Sequence, residues 1–103
     1  MSFTIKYIQK RINSMSNKLG YTNHDIFSYN RDPRLVTLRQ LIWMELHNSG
    51  FTYEMIGKAT NRKHSSVIIG VQRITGLLQA DDKMAKEMYG MITSNDEDIK
   101  IPP

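Results

Sequence analysis

The chain has 103 residues, of which 40% are hydrophobic and 23% charged, with a formal net charge of +4 at pH 7 and no cysteine. This length allows one domain with a modest core, and this composition excludes a wholly disordered chain. The lack of cysteine excludes disulfide scaffolds, thiolate zinc sites and cysteine nucleophiles, so the chain would tolerate a reducing compartment.

The first predicted helix covers residues 3–19. Its apolar residues recur every three or four positions, with basic and amide side chains between them: Ile5, Ile8, Ile12, Met15 and Leu19. This spacing is typical of an amphipathic helix, and Gly20 would end it. A short turn capped by Thr22 or Asn23 is predicted next, followed by a polar loop at residues 28–32.

A second long helix is predicted to begin at Pro33, because Asp32 is a favoured N-cap and proline suits the first helical position. Its sequence is rich in large apolar residues: Leu35, Leu38, Leu41, Ile42, Trp43 and Leu46. This composition predicts the core helix of the domain. The residues Asn48-Ser49-Gly50 would end it.

Two helices separated by a tight turn are predicted next. Thr52 is placed to cap a short helix through residues 53–59, the turn follows at Thr60-Asn61, and a long helix begins between Lys63 and Ser65. The buried stripe of that long helix is predicted from apolar residues spaced by four, three and four positions: Val67, Val71, Ile74 and Leu78. This arrangement predicts a helix-turn-helix.

A last helix is predicted after Asp81-Asp82, and it carries Met84, Met88, Met91 and Ile92, mainly as core residues. No strand alternation is present, so the fold class expected is all-α, a compact bundle of five to six helices containing a helix-turn-helix. We assign residues 1–93 to this domain and residues 94–103 to an acidic, flexible tail.

The basic charge of the chain is concentrated in the predicted domain. Residues 94–103 hold three acidic residues and one lysine, so without them the basic residues fall from 14 to 13 and the acidic ones from 10 to 7. The segment 55–80 has no acidic residue and contains Lys58, Arg62, Lys63 and Arg73. Phosphate backbones select such surfaces, although acidic proteins and anionic lipids also bind them.

The start of the long helix resembles a known family. The residues Arg39-Gln40, Met55-Ile56-Gly57 and the run Arg-Lys-His-Ser-Ser-Val at 62–67 are similar to the Trp-repressor-like C-terminal DNA-binding domain of the bacterial replication initiator DnaA and its small stand-alone relatives. The family's run reads Arg-Asp-His-Thr-Thr-Val, so lysine replaces aspartate at position 63. The resemblance covers roughly residues 8–92.

The resemblance implies a bacterial or phage protein that binds double-stranded DNA with a sequence preference, in regulation or replication. It places residues 63–66 against bases in the major groove, Arg31 in the minor groove, and Arg39 and Gln40 on the phosphate backbone, with Arg62 supporting them. The DNA-binding residues expected are therefore Arg31, Arg39, Gln40, Arg62, Lys63, His64, Ser65 and Ser66. With Lys63 a donor in place of an acceptor, the preferred DNA sequence is expected to differ from the family's.

One alternative to DNA binding is a protein-interaction module that keeps the fold and uses the methionine helix or the acidic tail. An enzyme is not expected, because no catalytic or metal-binding constellation can be assembled from the sequence, and no cofactor is expected. No Gly-rich loop followed by Lys-Ser/Thr occurs, so ATP binding is not expected. The apolar runs are too short for a membrane span or a signal peptide, which predicts a cytoplasmic, nucleoid-associated protein.

Overall fold

The computed structural model describes residues 2–94, with side chains from residue 4. The helices, in chain order, are α1 (Ser2–Asn17), α2 (Asn23–Phe27), α3 (Pro33–Asn48), α4 (Tyr53–Thr60), α5 (His64–Gln79) and α6 (Lys83–Thr93). No strand occurs in this part of the chain, so the predicted all-α bundle is confirmed. Of the predicted tail, only Ser94 lies within the described residues.

Helix α3 lies at the centre of the molecule and contacts each of the other helices. Because neighbours surround it, its buried residues lie on all sides of the helix axis and do not form a single stripe. They include Leu35, Leu38, Leu41, Ile42, Trp43, Met44 and Leu46. The prediction that this segment is the core helix is confirmed.

Side chains that accept hydrogen bonds from backbone N–H groups set the starts of several helices. Asp32 accepts from the N–H of Leu35 at 3.2 Å, and Thr52 accepts from the N–H of Met55 at 3.1 Å, as predicted for both caps. At the start of α2, the Thr22 side chain accepts from the N–H of Asp25, and the Asp25 carboxylate accepts from the N–H of Thr22. Asp82 caps α6.

Two expectations about the outer helices need correction. Helix α1 ends at Asn17, two residues before its predicted end, because the chain turns there and Gly20 adopts a φ of +83°. On α6, Met88 and Ile92 are buried as expected, but Met91 is 47% exposed. None of the helices within residues 2–94 has both the length and the apolarity needed to cross a bilayer.

Candidate nucleic-acid interface

The turn between α4 and α5 consists of Asn61, Arg62 and Lys63. Asn61 has a left-handed backbone conformation with φ of +58°, which asparagine tolerates better than most residues. The N–H of Arg62 donates to the carbonyl of Gly57 at 2.8 Å, and a Cβ at Gly57 would lie 2.5 Å from the carbonyl oxygen of Arg62. The close contact of the two helices therefore depends on glycine at position 57.

The first turn of α5 presents the four residues that the resemblance assigns to base contact. Lys63, His64, Ser65 and Ser66 are all exposed, whereas Val67, the next residue, is fully buried and anchors the helix. The buried stripe continues through Val71 and Ile74 as predicted, while Leu78 is only half-buried. The structure thus brings these four residues together on one exposed helix start.

The start of α5 differs electrostatically from the other helix starts. Lys63 occupies the N-cap position of α5 and makes no side-chain capping hydrogen bond. In α2, α3, α4 and α6, by contrast, a threonine or aspartate accepts at this position. The first turn of α5 also has no acidic residue. Its N–H groups, the positive end of the helix dipole and the Lys63 ammonium therefore all favour an external anion.

An open groove runs beside this helix start. Among the residues that the structure describes, its lining has no carboxylate and consists of Tyr29, Gly57, Lys58, Asn61, Arg62, Lys63 and Ser66. Lys58 and Tyr29 were not among the residues assigned to DNA from the sequence. The acid-free segment already contained Lys58, but nothing in the sequence indicated that Tyr29, in the loop before α3, would lie beside α4 and α5.

Arg39 has a different role from the phosphate contact that the resemblance implied. It is only 7% exposed; its Nε donates to the carbonyl of Ile26 at 2.9 Å, and its Nη2 donates to the carbonyl of Ser28 at 3.0 Å. Burial, and secondarily the charge of Arg62, lower the pKa of Arg39. Because these donors are directed at the end of α2 and the following loop, Arg39 is a structural residue that holds the loop carrying Arg31.

Arg62 connects the helix-turn-helix to the same loop. Its Nη1 donates to the carbonyl of Phe27 at 3.1 Å, its Nη2 donates to the carbonyl of Ser28, and its guanidinium lies 4.2 Å from the centre of the Tyr29 ring. The half-buried Arg62 therefore fixes the loop at residues 28–32 against the start of α5. The supporting role in DNA binding that the resemblance implies for it stays a prediction.

Arg31 is exposed in the loop that Arg39 and Arg62 hold. It lines a small pocket of about 230 Å³ with Tyr29, Arg39 and Arg62 among its neighbours. Tyr29 and Arg62 also line the groove beside α5. The structure therefore places Arg31 on the same side of the molecule as the start of α5.

Gln40 is half-buried and contacts α5 further along its length. Its Oε1 accepts a hydrogen bond from Nη1 of Arg73 at 2.7 Å, so its amide group is partly engaged within the protein. Arg73 is exposed and was not assigned a role from the sequence, although it belongs to the acid-free segment. The Gln40–Arg73 pair extends the polar surface from the start of α5 along the side next to α3.

Within residues 2–94, no group of three or more His, Asp or Glu side chains is arranged to hold a metal ion. Nδ1 of His47 lies 3.0 Å from the backbone oxygen of Phe51, to which it can only donate, and the His47 ring stacks on Tyr53, which indicates a structural role.

Comparison with known proteins identified no relative of this chain. No protein-family model, curated protein or solved structure gives a significant match to the chain. The resemblance to the DNA-binding domain of DnaA therefore stays a prediction.

Proposed function

We propose that this chain binds double-stranded DNA with a sequence preference, through a helix-turn-helix formed by α4 and α5, in a regulatory or replication-associated role. The observation that carries the proposal is the exposed, cationic start of α5, which has no side-chain cap among residues 4–94. The similarity of residues 62–67 to the DnaA motif supports the same proposal, under which the chain would be a small relative of that DNA-binding domain.

The residue types at this helix start suit the major groove, which is wide enough to admit an α-helix. Lys63 would donate to guanine O6 and N7, and Ser65 and Ser66 are short enough to let the helix backbone approach while they donate or accept at base edges. His64 offers a further donor or acceptor. Lys58 and Arg31 flank this surface and would bind phosphates, or in the case of Arg31 the minor groove.

A selection of bound sequences from a random duplex pool tests this proposal, followed by affinity measurements on the enriched sequence across a salt series. We expect one enriched motif and an affinity that falls as salt rises, because cations on the protein displace counterions from phosphates. A pool that shows no enrichment would refute the proposal, and so would an affinity for the enriched sequence that does not depend on salt.

The protein-interaction alternative receives less support from the described residues. Of the three methionines on α6, Met88 is 1% exposed and Met84 is half-buried, so only Met91 offers much surface to a partner. The acidic tail, which was the other element of that alternative, lies outside the described residues beyond Ser94. A duplex-binding role therefore remains the function that the site supports best.

A further inference from the structure

One large apolar side chain lies on the exposed side of α5, a helix that is described over its whole length. Ile69 is 65% exposed, whereas Val67 and Ile74 are fully buried. Residues three or four positions apart lie on the same side of a helix. Ile69 therefore lies between Ser65, one turn nearer the helix start, and Gln72, one turn further on, both of which are exposed.

The packing of α5 against α3 fixes the direction in which Ile69 points. A Cβ at Gly70 would lie 2.6 Å from ring carbons of Trp43 and 3.2 Å from Cγ of Gln40, so the two helices touch at that position. One turn further on, the bond from Arg73 to Gln40 joins the same helices. Because α5 cannot rotate about its axis without breaking this packing, Ile69 is held toward solvent.

We propose that Ile69 is a specificity-determining residue that packs against the C5 methyl group of a thymine in the major groove. This inference rests on the proposed function and adds the base that the second turn of α5 recognises. The thymine methyl is the apolar group that base pairs display in the major groove. Ile69 is β-branched and has few side-chain rotamers in a helix, so little conformational entropy is lost on contact.

The polar residues around Ile69 cannot supply this discrimination. Ser65 and Gln72 recognise hydrogen-bond donors and acceptors, and removal of a methyl group leaves those unchanged. An aliphatic side chain, in contrast, gains from covering the methyl group and loses that gain when the methyl is absent.

The test uses the enriched duplex and replaces each thymine in turn by deoxyuridine, which removes only the C5 methyl. For the unmodified protein we expect a loss of affinity of about three- to fivefold at one or two positions, the size expected for one buried methyl group. Ile69→Ala should bind the thymine and deoxyuridine duplexes equally at those positions. Ile69→Val should keep most of the discrimination, because it retains the branched methyl groups.

The control is Met91→Ala, which truncates another exposed apolar side chain, on α6, and should leave the deoxyuridine pattern unchanged. If Ile69→Ala keeps the full sensitivity of the unmodified protein at every thymine, or if no thymine is sensitive in the unmodified protein, the inference is overturned while duplex binding stands. If the unmodified protein enriches no duplex, the proposed function itself fails. Circular dichroism of each variant would show that its helices are intact.

Discussion

Arg62 and Lys63 are adjacent cations in one turn, and their surroundings give them different tasks. The guanidinium of Arg62 donates to carbonyls of residues 27 and 28 and covers the Tyr29 ring, so its hydrogen-bonding capacity is largely used inside the protein. Lys63 is exposed and has no capping bond. The side-chain donors available to a ligand from these two cations are therefore mainly those of Lys63.

Replacement of Lys63 by alanine tests this division at the level of one side chain. We expect the preference at one or two base pairs to relax, at a cost of about 1–3 kcal/mol in binding the preferred duplex. Competition binding with single-base variants of the enriched duplex would measure it. Lys83→Ala removes the same charge from an exposed site on α6 and should weaken binding little; equal losses in both variants would show a general charge effect only.

Replacement of Arg39 by alanine should act on stability. The carbonyls of Ile26 and Ser28 would lose a charged donor at a largely buried position, which we expect to lower the free energy of unfolding by about 2–4 kcal/mol. Urea denaturation would measure the change. Arg34→Ala, an exposed arginine on the same helix, serves as the control and should change stability by less than about 0.5 kcal/mol. If the Arg39→Ala protein is as stable as the unmodified protein but has lost DNA binding, the result would instead support a phosphate contact by Arg39.

The α4–α5 turn orients the helix that we propose reads DNA. Its geometry depends on the left-handed Asn61 and on the absence of a side chain at Gly57, where the carbonyl of Arg62 approaches. A short turn without glycine is possible because asparagine accepts positive φ at small cost. The angle between the two helices is therefore set by two residues.

Gly57→Ala should disturb that angle. The added Cβ would lie 2.5 Å from a backbone oxygen that cannot move without shifting the turn, so we expect a net loss of stability of about 1–3 kcal/mol and weaker DNA binding. Gly76→Ala, on α5 with open space around the added atom, should instead stabilise the protein by about 0.5–1 kcal/mol. Thermal denaturation and duplex affinity of both variants provide the measurement; two variants with the same sign would contradict the steric explanation.

The helices and their starts could be predicted from the sequence because caps and apolar spacing are local signals. Asp32 and Thr52 cap the helices that they were expected to cap, and the exposed start of α5 follows from a polar turn before Val67. The role of Arg39 could not be predicted locally. Its partners are carbonyls of the α2–α3 loop, which spacing alone does not place beside α3. Tyr29 and Arg73 were missed for the same reason, since tertiary packing creates their contacts.

The central position of α3 joins the other helices into one core. Trp43, the single tryptophan of the chain, is only 5% exposed and donates from Nε1 to Oγ1 of Thr60 at 3.3 Å. Its ring also lies against Gly70 of α5. The indole therefore touches α4 and α5 from α3, at the junction that orients the helix-turn-helix.

This arrangement predicts cooperative unfolding. Because every helix contacts α3, loss of any one of them exposes part of the same core, and we expect a single transition. Tryptophan fluorescence and far-ultraviolet circular dichroism, followed in one urea titration, should give the same midpoint. A fluorescence midpoint at lower urea would show that the α3–α5 junction opens before the rest of the bundle.

The uncapped start of α5 also has a consequence for how the sequence can change. An aspartate or serine at an N-cap stabilises a helix by about 0.5–2 kcal/mol relative to a residue that cannot accept a hydrogen bond. Lys63 cannot accept such a bond, so the start of α5 does not gain that stabilisation from its N-cap side chain. In a variant library selected for thermal stability alone, we expect Lys63 to be replaced. In a library selected for DNA binding as well, the retention of Lys63 would measure how strongly binding opposes folding stability at this position.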